Sequence, residues 1–150
     1  MSQRRGRYFA ALSCRRTVRT LARMAEASGL ESRDVRHMPR RVEKPWGYEL
    51  IWAHAESYVG KILHIKAGHA LSLQYHRVKD ETVHLLSGAM RFEYDRGEGR
   101  SDVILRAGES VRIRPGMVHR MVALSDCDVL EASTPQLDDV VRLEDRYGRK

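Results

Sequence analysis

The 150-residue chain has no apolar run of about 18 residues, so nothing in it reads as a membrane-spanning helix. Cysteine is scarce, with only Cys14 and Cys127. Two cysteines fit neither a disulfide framework nor a thiolate zinc site, and a reducing, cytoplasmic compartment is the expectation. Helix signals are few as well. They are confined to the first forty residues and to a short turn near Gln136–Val141. Acidic residues are missing altogether before Glu26.

That last absence divides the chain. Residues 1–41 hold eleven arginines against Glu26, Glu31 and Asp34, a net charge of +8. Residues 42–150 hold sixteen lysines and arginines against seventeen acids, a net charge of −1. The overall +7 therefore belongs to the first segment. A uniformly basic surface would point to nucleic acid; a basic leader on a near-neutral domain does not, and no nucleic-acid partner is expected. The division predicts a leader over residues 1–38 and one domain over residues 39–150, long enough to bury a core. Tyr8–Ala27 can be drawn as a short Arg-rich amphipathic helix, which is presequence-like, and the leader can also be drawn as a nucleic-acid arm. The reading preferred here is a disordered or partly helical extension, with Met24 and Met38 as alternative starts.

From Arg41 onward short apolar stretches alternate with turn residues. Strands are predicted over Tyr48–Ala53, Tyr58–Lys66, Ala89–Tyr94, Asp102–Leu105, Ser110–Ile113, Arg120–Leu124 and Asp128–Ala132. Pro45-Trp46-Gly47 reads as a turn, and Asp95–Gly99 as a Gly-rich hairpin loop. Many short strands at regular spacing predict an all-β barrel or sandwich.

The stretch Gly68–Gly88 is the centre of the pattern. Leu71, Leu73 and Tyr75 alternate with Ser72, Gln74 and His76, and Val83, Leu85 and Leu86 rebuild an apolar strand. Val78–Asp80 reads as the turn of a hairpin. Residues two apart share a strand face, so Gln74 and His76 point the same way, and Glu81 enters on the returning strand. An amide oxygen, an imidazole and a carboxylate are metal-ligand types.

The spacing from Gly68 through Gln74, His76 and Glu81 to Gly88 resembles the first motif of the cupin superfamily, with Gln74 where many members carry their first His. Gly108, Arg114-Pro115-Gly116 and His119 resemble the second. Its Pro falls one residue late, and its usual Asn is Ala123. The resemblance implies a double-stranded β-helix, a small jelly-roll barrel, with Gln74, His76, Glu81 and His119 as metal ligands. The strings Arg41–Tyr48, Leu71–His76, His119-Arg120 and Asp138–Arg149 resemble type II mannose-6-phosphate isomerases, a family whose domain often follows a mannose-1-phosphate guanylyltransferase domain. With one carboxylate, a divalent ion would leave the site at +1, with one or two positions open for substrate or water. Such donors suit zinc, manganese, iron, cobalt or nickel, and the resemblance puts zinc first.

Three further residues are catalytic candidates. Lys61 shares a face with Leu63 and Ile65; it is either a rim lysine or, as in the resembled family, a cation for a phosphate or an enediolate. Glu131 lies in the last predicted strand, where it is either rim-exposed or a buried base. Arg142 stands among Asp138, Asp139, Glu144 and Asp145, as part of a solvated charge run or as a phosphate ligand. Arg120 should point away from the metal and be structural, and His84 should face outward. The function implied is a metal-dependent sugar-phosphate aldose–ketose isomerase working through an enediol. The alternatives are a non-catalytic sugar- or metal-binding module and an iron-dependent dioxygenase. A homodimer is expected, with the apolar Arg41–Trp52 segment covering a sheet edge.

Overall fold

The computed structural model describes Arg36 and residues 38–149; the expected leader helix over Tyr8–Ala27 lies outside the described residues. Eleven strands and no helix are found among them. They are β1 (Arg40–Lys44), β2 (Gly47–His54), β3 (Val59–Ile65), β4 (Leu73–Tyr75), β5 (Glu81–Ser87), β6 (Ala89–Asp95), β7 (Arg100–Arg106), β8 (Ser110–Ile113), β9 (Val118–Ala123), β10 (Cys127–Ser133) and β11 (Val141–Glu144). The predicted strands are all present, with ends shifted by a residue or two. β1 and β11 are additions. The predicted turn near Gln136–Val141 forms no helix; it is a string of tight turns closed by bonds such as Val140 N–H to Asp138 O at 2.9 Å.

The strands form two sheets, in the orders β1-β2-β3-β10-β5-β8 and β11-β4-β9-β6-β7, with every pairing antiparallel. The core lies between them. Leu63, Ile65, Val83, Leu85 and Val129 come from the first sheet, and Met90, Phe92, Met121 and Ala123 from the second. Each alternates with more exposed neighbours, as a strand with one buried face requires.

One pairing differs from the sequence reading. Gly68–Gly88 is not a hairpin, because β4 and β5 belong to opposite sheets. β4 pairs with β9 and β11, and β5 pairs with β10 and β8. Residues 76–80 are a crossover rather than a turn. Their backbone groups bond elsewhere, with Arg77, Val78 and Lys79 N–H to Asp139 and Asp80 N–H to Thr134.

Pro45-Trp46 forms a two-residue turn between β1 and β2, which pairs Lys44 with Gly47. Gly47 has φ +146°, and a Cβ there would stand 1.9 Å from the His64 carbonyl oxygen, so only glycine fits. This turn lays β1 along β2 and buries Trp46 in the core.

Candidate metal and ligand site

Register builds the site from both sheets. In the first sheet β10 runs between β3 and β5, so Glu131 stands opposite Lys61 on one side and Val83 on the other. Ser133 is opposite Glu81. Lys61, Glu81 and Glu131 all point inward and are buried. In the second sheet β4 sets Gln74 beside His119 of β9, and β11 sets Arg142 beside Gln74. His76 follows β4 directly.

His76 and His119 are 1% and 2% exposed, their ring centroids 5.2 Å apart. Their Nε2 atoms stand 3.4 Å and 3.5 Å from the same Glu81 oxygen, Oε1. These three donor atoms lie within 4.8 Å of one another. Each Nδ1 faces a backbone carbonyl, that of Asp139 for His76 and that of Met117 at 3.0 Å for His119. A carbonyl only accepts, so in the neutral ring Nδ1 carries the proton and Nε2 offers its lone pair. Both Nε2 atoms are buried without a hydrogen-bond partner among the described residues. Buried polar atoms are seldom left so, and two converging on a carboxylate are the donor set of a divalent ion. The residues present therefore fit the metal that the spacing suggests.

Gln74 lines the same cavity, and its Oε1 accepts the Ser72 hydroxyl at 2.6 Å. Lys79 went unnoticed in the sequence, where it reads as a turn residue. It is 3% exposed. Its ammonium donates to Glu81 Oε2 and, at 2.8 Å, to Glu131 Oε1. Lys61 Nζ stands 3.6 Å from the same Glu131 oxygen, and the Ser133 hydroxyl donates to it at 2.9 Å. Glu131 is thus buried rather than at the rim. The one signal for Lys79 was its position two residues before Glu81, which puts both on one side of an extended chain.

The charges support one another. Burial works to raise the Glu81 carboxyl, but the His76 ring and the Lys79 ammonium outweigh it and hold it well below the usual carboxylate range. Burial pushes His119 down, against the pull of Glu81. Burial also lowers Lys79, but Glu131 and Glu81 reverse this and raise it. Asp139, expected as part of a solvated charge run, is instead a cap. The N–H groups of Val78, Lys79 and Arg77 hold its carboxyl down to about 2.

Above these groups opens a cavity of about 340 Å³. Trp46, Leu63 and Met121 give it apolar wall, and Lys61, Lys79 and Arg142 are among its cations. All seven residues named from the sequence are brought together: six line this cavity, and His119 lies buried against Glu81. Arg120 points away, paired to Glu93 at 2.6 Å and Glu144 at 3.1 Å. His84 lies outside the cavity and bonds to Ser110 at 2.8 Å.

A family model described as Cupin domain matches residues 61–132, which holds Lys61, Glu131 and the whole proposed ligand set.

The chain belongs to the cupin superfamily.

The chain is 34% identical over 141 residues to mannose-1-phosphate guanylyltransferase ManC of Salmonella typhimurium, covering 90% of this chain and 28% of that protein. It is 35% identical over 116 residues to xanthan biosynthesis protein XanB of Xanthomonas campestris pv. campestris, covering 73% of this chain and 24% of that protein. The chain thus spans less than a third of the length of these relatives. Among solved structures, KdgF from Halomonas sp. superposes with a TM-score of 0.58 at 23% identity, covering 69% of this chain and 92% of that one. Oxalate decarboxylase from Bacillus subtilis superposes with a TM-score of 0.63 at 15% identity, covering 77% of this chain and 34% of that one. At these identities the likeness is one of fold. The guanylyltransferase and xanthan relatives agree with the resemblance of residues 41–149 to the type II mannose-6-phosphate isomerase domain.

Proposed function

We propose that this cupin is a cytoplasmic, metal-dependent sugar-phosphate isomerase of the mannose-6-phosphate isomerase type, interconverting an aldose and a ketose through an enediol. The observation that carries the reading is the meeting of two partnerless imidazole nitrogens and a carboxylate oxygen below a cavity walled by cations. His76, Glu81 and His119 would hold the ion, zinc first, with Gln74 as the fourth donor; manganese, iron, cobalt and nickel also suit N and O ligands. A bound divalent ion supplies Lewis acidity toward the carbonyl and hydroxyl oxygens of the sugar. The chain does the rest. Glu131 accepts the proton from C2 and returns it at C1, the hydroxyl proton passes from O2 to O1, and Lys61 steadies the charge that develops. Arg142 grips the distal phosphate, so that binding energy far from the reacting carbons orients them. Trp46, Leu63 and Met121 keep water off that path.

The test is turnover of mannose 6-phosphate to fructose 6-phosphate by purified protein loaded with zinc. Lys61→Met should keep full metal content and lower turnover of the phosphorylated sugar by about 10- to 100-fold, the loss of one charge-assisted contact to the developing charge. A non-catalytic module has one observation in its favour, since Glu131 is already engaged by Lys79 and Ser133. Metal binding without turnover of any sugar phosphate would establish that reading. Bound iron with oxygen uptake would establish the dioxygenase.

We also propose a homodimer. β1 pairs within its own chain to β2, and its other edge ends the six-stranded sheet. Around Val42 a second copy would set Arg41 against Glu43 in both directions, an antiparallel match of opposite charges. Light scattering at micromolar concentration should give twice the chain mass, and a monomer mass would dismiss the pairing.

A further inference from the structure

Asp139 makes two kinds of contact with the residues that carry the site. Its backbone carbonyl accepts from His76 Nδ1. Its carboxylate accepts three successive backbone N–H groups, from Arg77 at 3.0 Å, Val78 at 2.7 Å and Lys79 at 2.8 Å. All four bonds reach across 60 to 63 positions of sequence. On the other side of His76, its own carbonyl accepts the Gly116 N–H at 2.7 Å.

The consequences run inward. A carbonyl fixed against Nδ1 selects one tautomer and one ring direction, with Nε2 facing Glu81. The three N–H bonds fold residues 77–79 around the carboxylate. Lys79 then leaves that turn pointing into the interior, where its ammonium meets Glu81 and Glu131. Glu81 Oε2 is taken by Lys79, which leaves Oε1 to face the two imidazoles. Placement of an imidazole and of a carboxylate oxygen thus traces back to one residue in the β10–β11 connection, through its carbonyl and its carboxylate.

We infer that Asp139 is the positioning residue of this metal site: its carboxylate locks the 76–80 crossover so that His76 presents Nε2 and Lys79 holds Glu81 by a single oxygen. The inference rests on the metal reading above, and its test includes a measurement that needs no metal. Asp139→Ala keeps the backbone carbonyl but removes all three carboxylate bonds. In metal-free protein at mildly alkaline pH, long-range proton–nitrogen NMR should show the His76 ring of the parent as one tautomer, protonated at Nδ1. In Asp139→Ala the same ring should become a mixture. Zinc affinity, measured by competition with a chelator on protein shown to be folded by circular dichroism, should fall about 10- to 100-fold.

Asp80→Asn is the control, since it weakens the surface pair with Arg112 in the same crossover and leaves the Asp139 bonds in place. It should change neither readout. If Asp139→Ala does not fold, Asp139→Asn, which keeps one acceptor oxygen, carries the same two measurements. A folded Asp139 variant with the parent's His76 tautomer and zinc affinity would overturn the inference. Failure of the parent to bind zinc would overturn the metal reading instead, and the tautomer measurement would still decide the role of Asp139.

Discussion

Purified His76→Ala and His119→Ala proteins should each emerge essentially free of bound divalent metal, with zinc affinity reduced well over about 100-fold, beyond the cost of losing an outer hydrogen-bond partner. Each change removes one of the two imidazole donors. A substituted water cannot replace it well, because a neutral imidazole fixed in direction binds more strongly than a mobile water. The fold should survive, since the core residues Ile65, Met90, Leu85 and Val129 are unchanged, even though His119→Ala removes the ring stacked 6.3 Å from Phe92. Glu81→Gln should lose metal almost as completely, as it removes the carboxylate that faces both rings and leaves the Lys79 ammonium with Glu131 as its remaining carboxylate partner among the described residues, beside a dication. Gln74→Ala should be the mildest of the four, because a neutral amide oxygen is the weakest donor. Elemental analysis of the purified variants, with circular dichroism to show that they are folded, is the measurement. Full metal occupancy in both histidine variants would place the site elsewhere.

Lys79→Met should cost about 3–5 kcal/mol of folding stability, the range for breaking a buried ion pair from one side. The side chains are of similar length, so little packing volume is lost, and the effect is electrostatic. Glu131 keeps Lys61 and the Ser133 hydroxyl. Glu81 keeps only the two rings, so the loss falls mainly on it. Glu131→Gln should cost less, because Lys79 keeps Glu81. The double variant Lys79→Met/Glu131→Gln should recover part of the single Lys79 loss, by removing a carboxylate that has lost its closest cation. Urea unfolding in the presence of a chelator is the measurement, so that metal binding adds nothing to the folded state. The sign with pH follows from the raised Lys79: its contribution is complete below the ordinary lysine range and fades only as pH climbs through the higher folded value. A Lys79→Met protein within about 0.5 kcal/mol of the parent would show that the ammonium is not a structural cation.

Much of this site was readable along the chain. Parity put Lys61 on the face of Leu63 and Ile65, and β3 has that face buried. The same argument turned Arg120 away from His119, and it lies against Glu93. Glu131 was harder, since a lone carboxylate among apolar residues looks the same whether it reaches solvent or a buried lysine. What decided it was the register that pairs it with Lys61 and the crossover that delivers Lys79. Asp139 could not be told from its neighbours Asp138 and Glu144, because the groups it caps lie about sixty residues away.

What the sequence determined by itself is local in origin. Period-2 alternation and turn residues specify which segments are strands and which way each side chain faces, because neighbouring Cβ atoms on an extended chain must point to opposite sides. The spacing of Gln74, His76, Glu81 and His119 specified which donors are offered. Tertiary structure alone decided that β4 and β5 part into opposite sheets, so that His76 and Glu81 meet across the interior rather than along one hairpin. It also decided that Lys79 is buried between two carboxylates and that Asp139 folds the crossover beneath it. Strand partners are chosen by competition among all available edges, and a buried charge finds its partner wherever the folded chain brings one. Neither is written in the residues beside it.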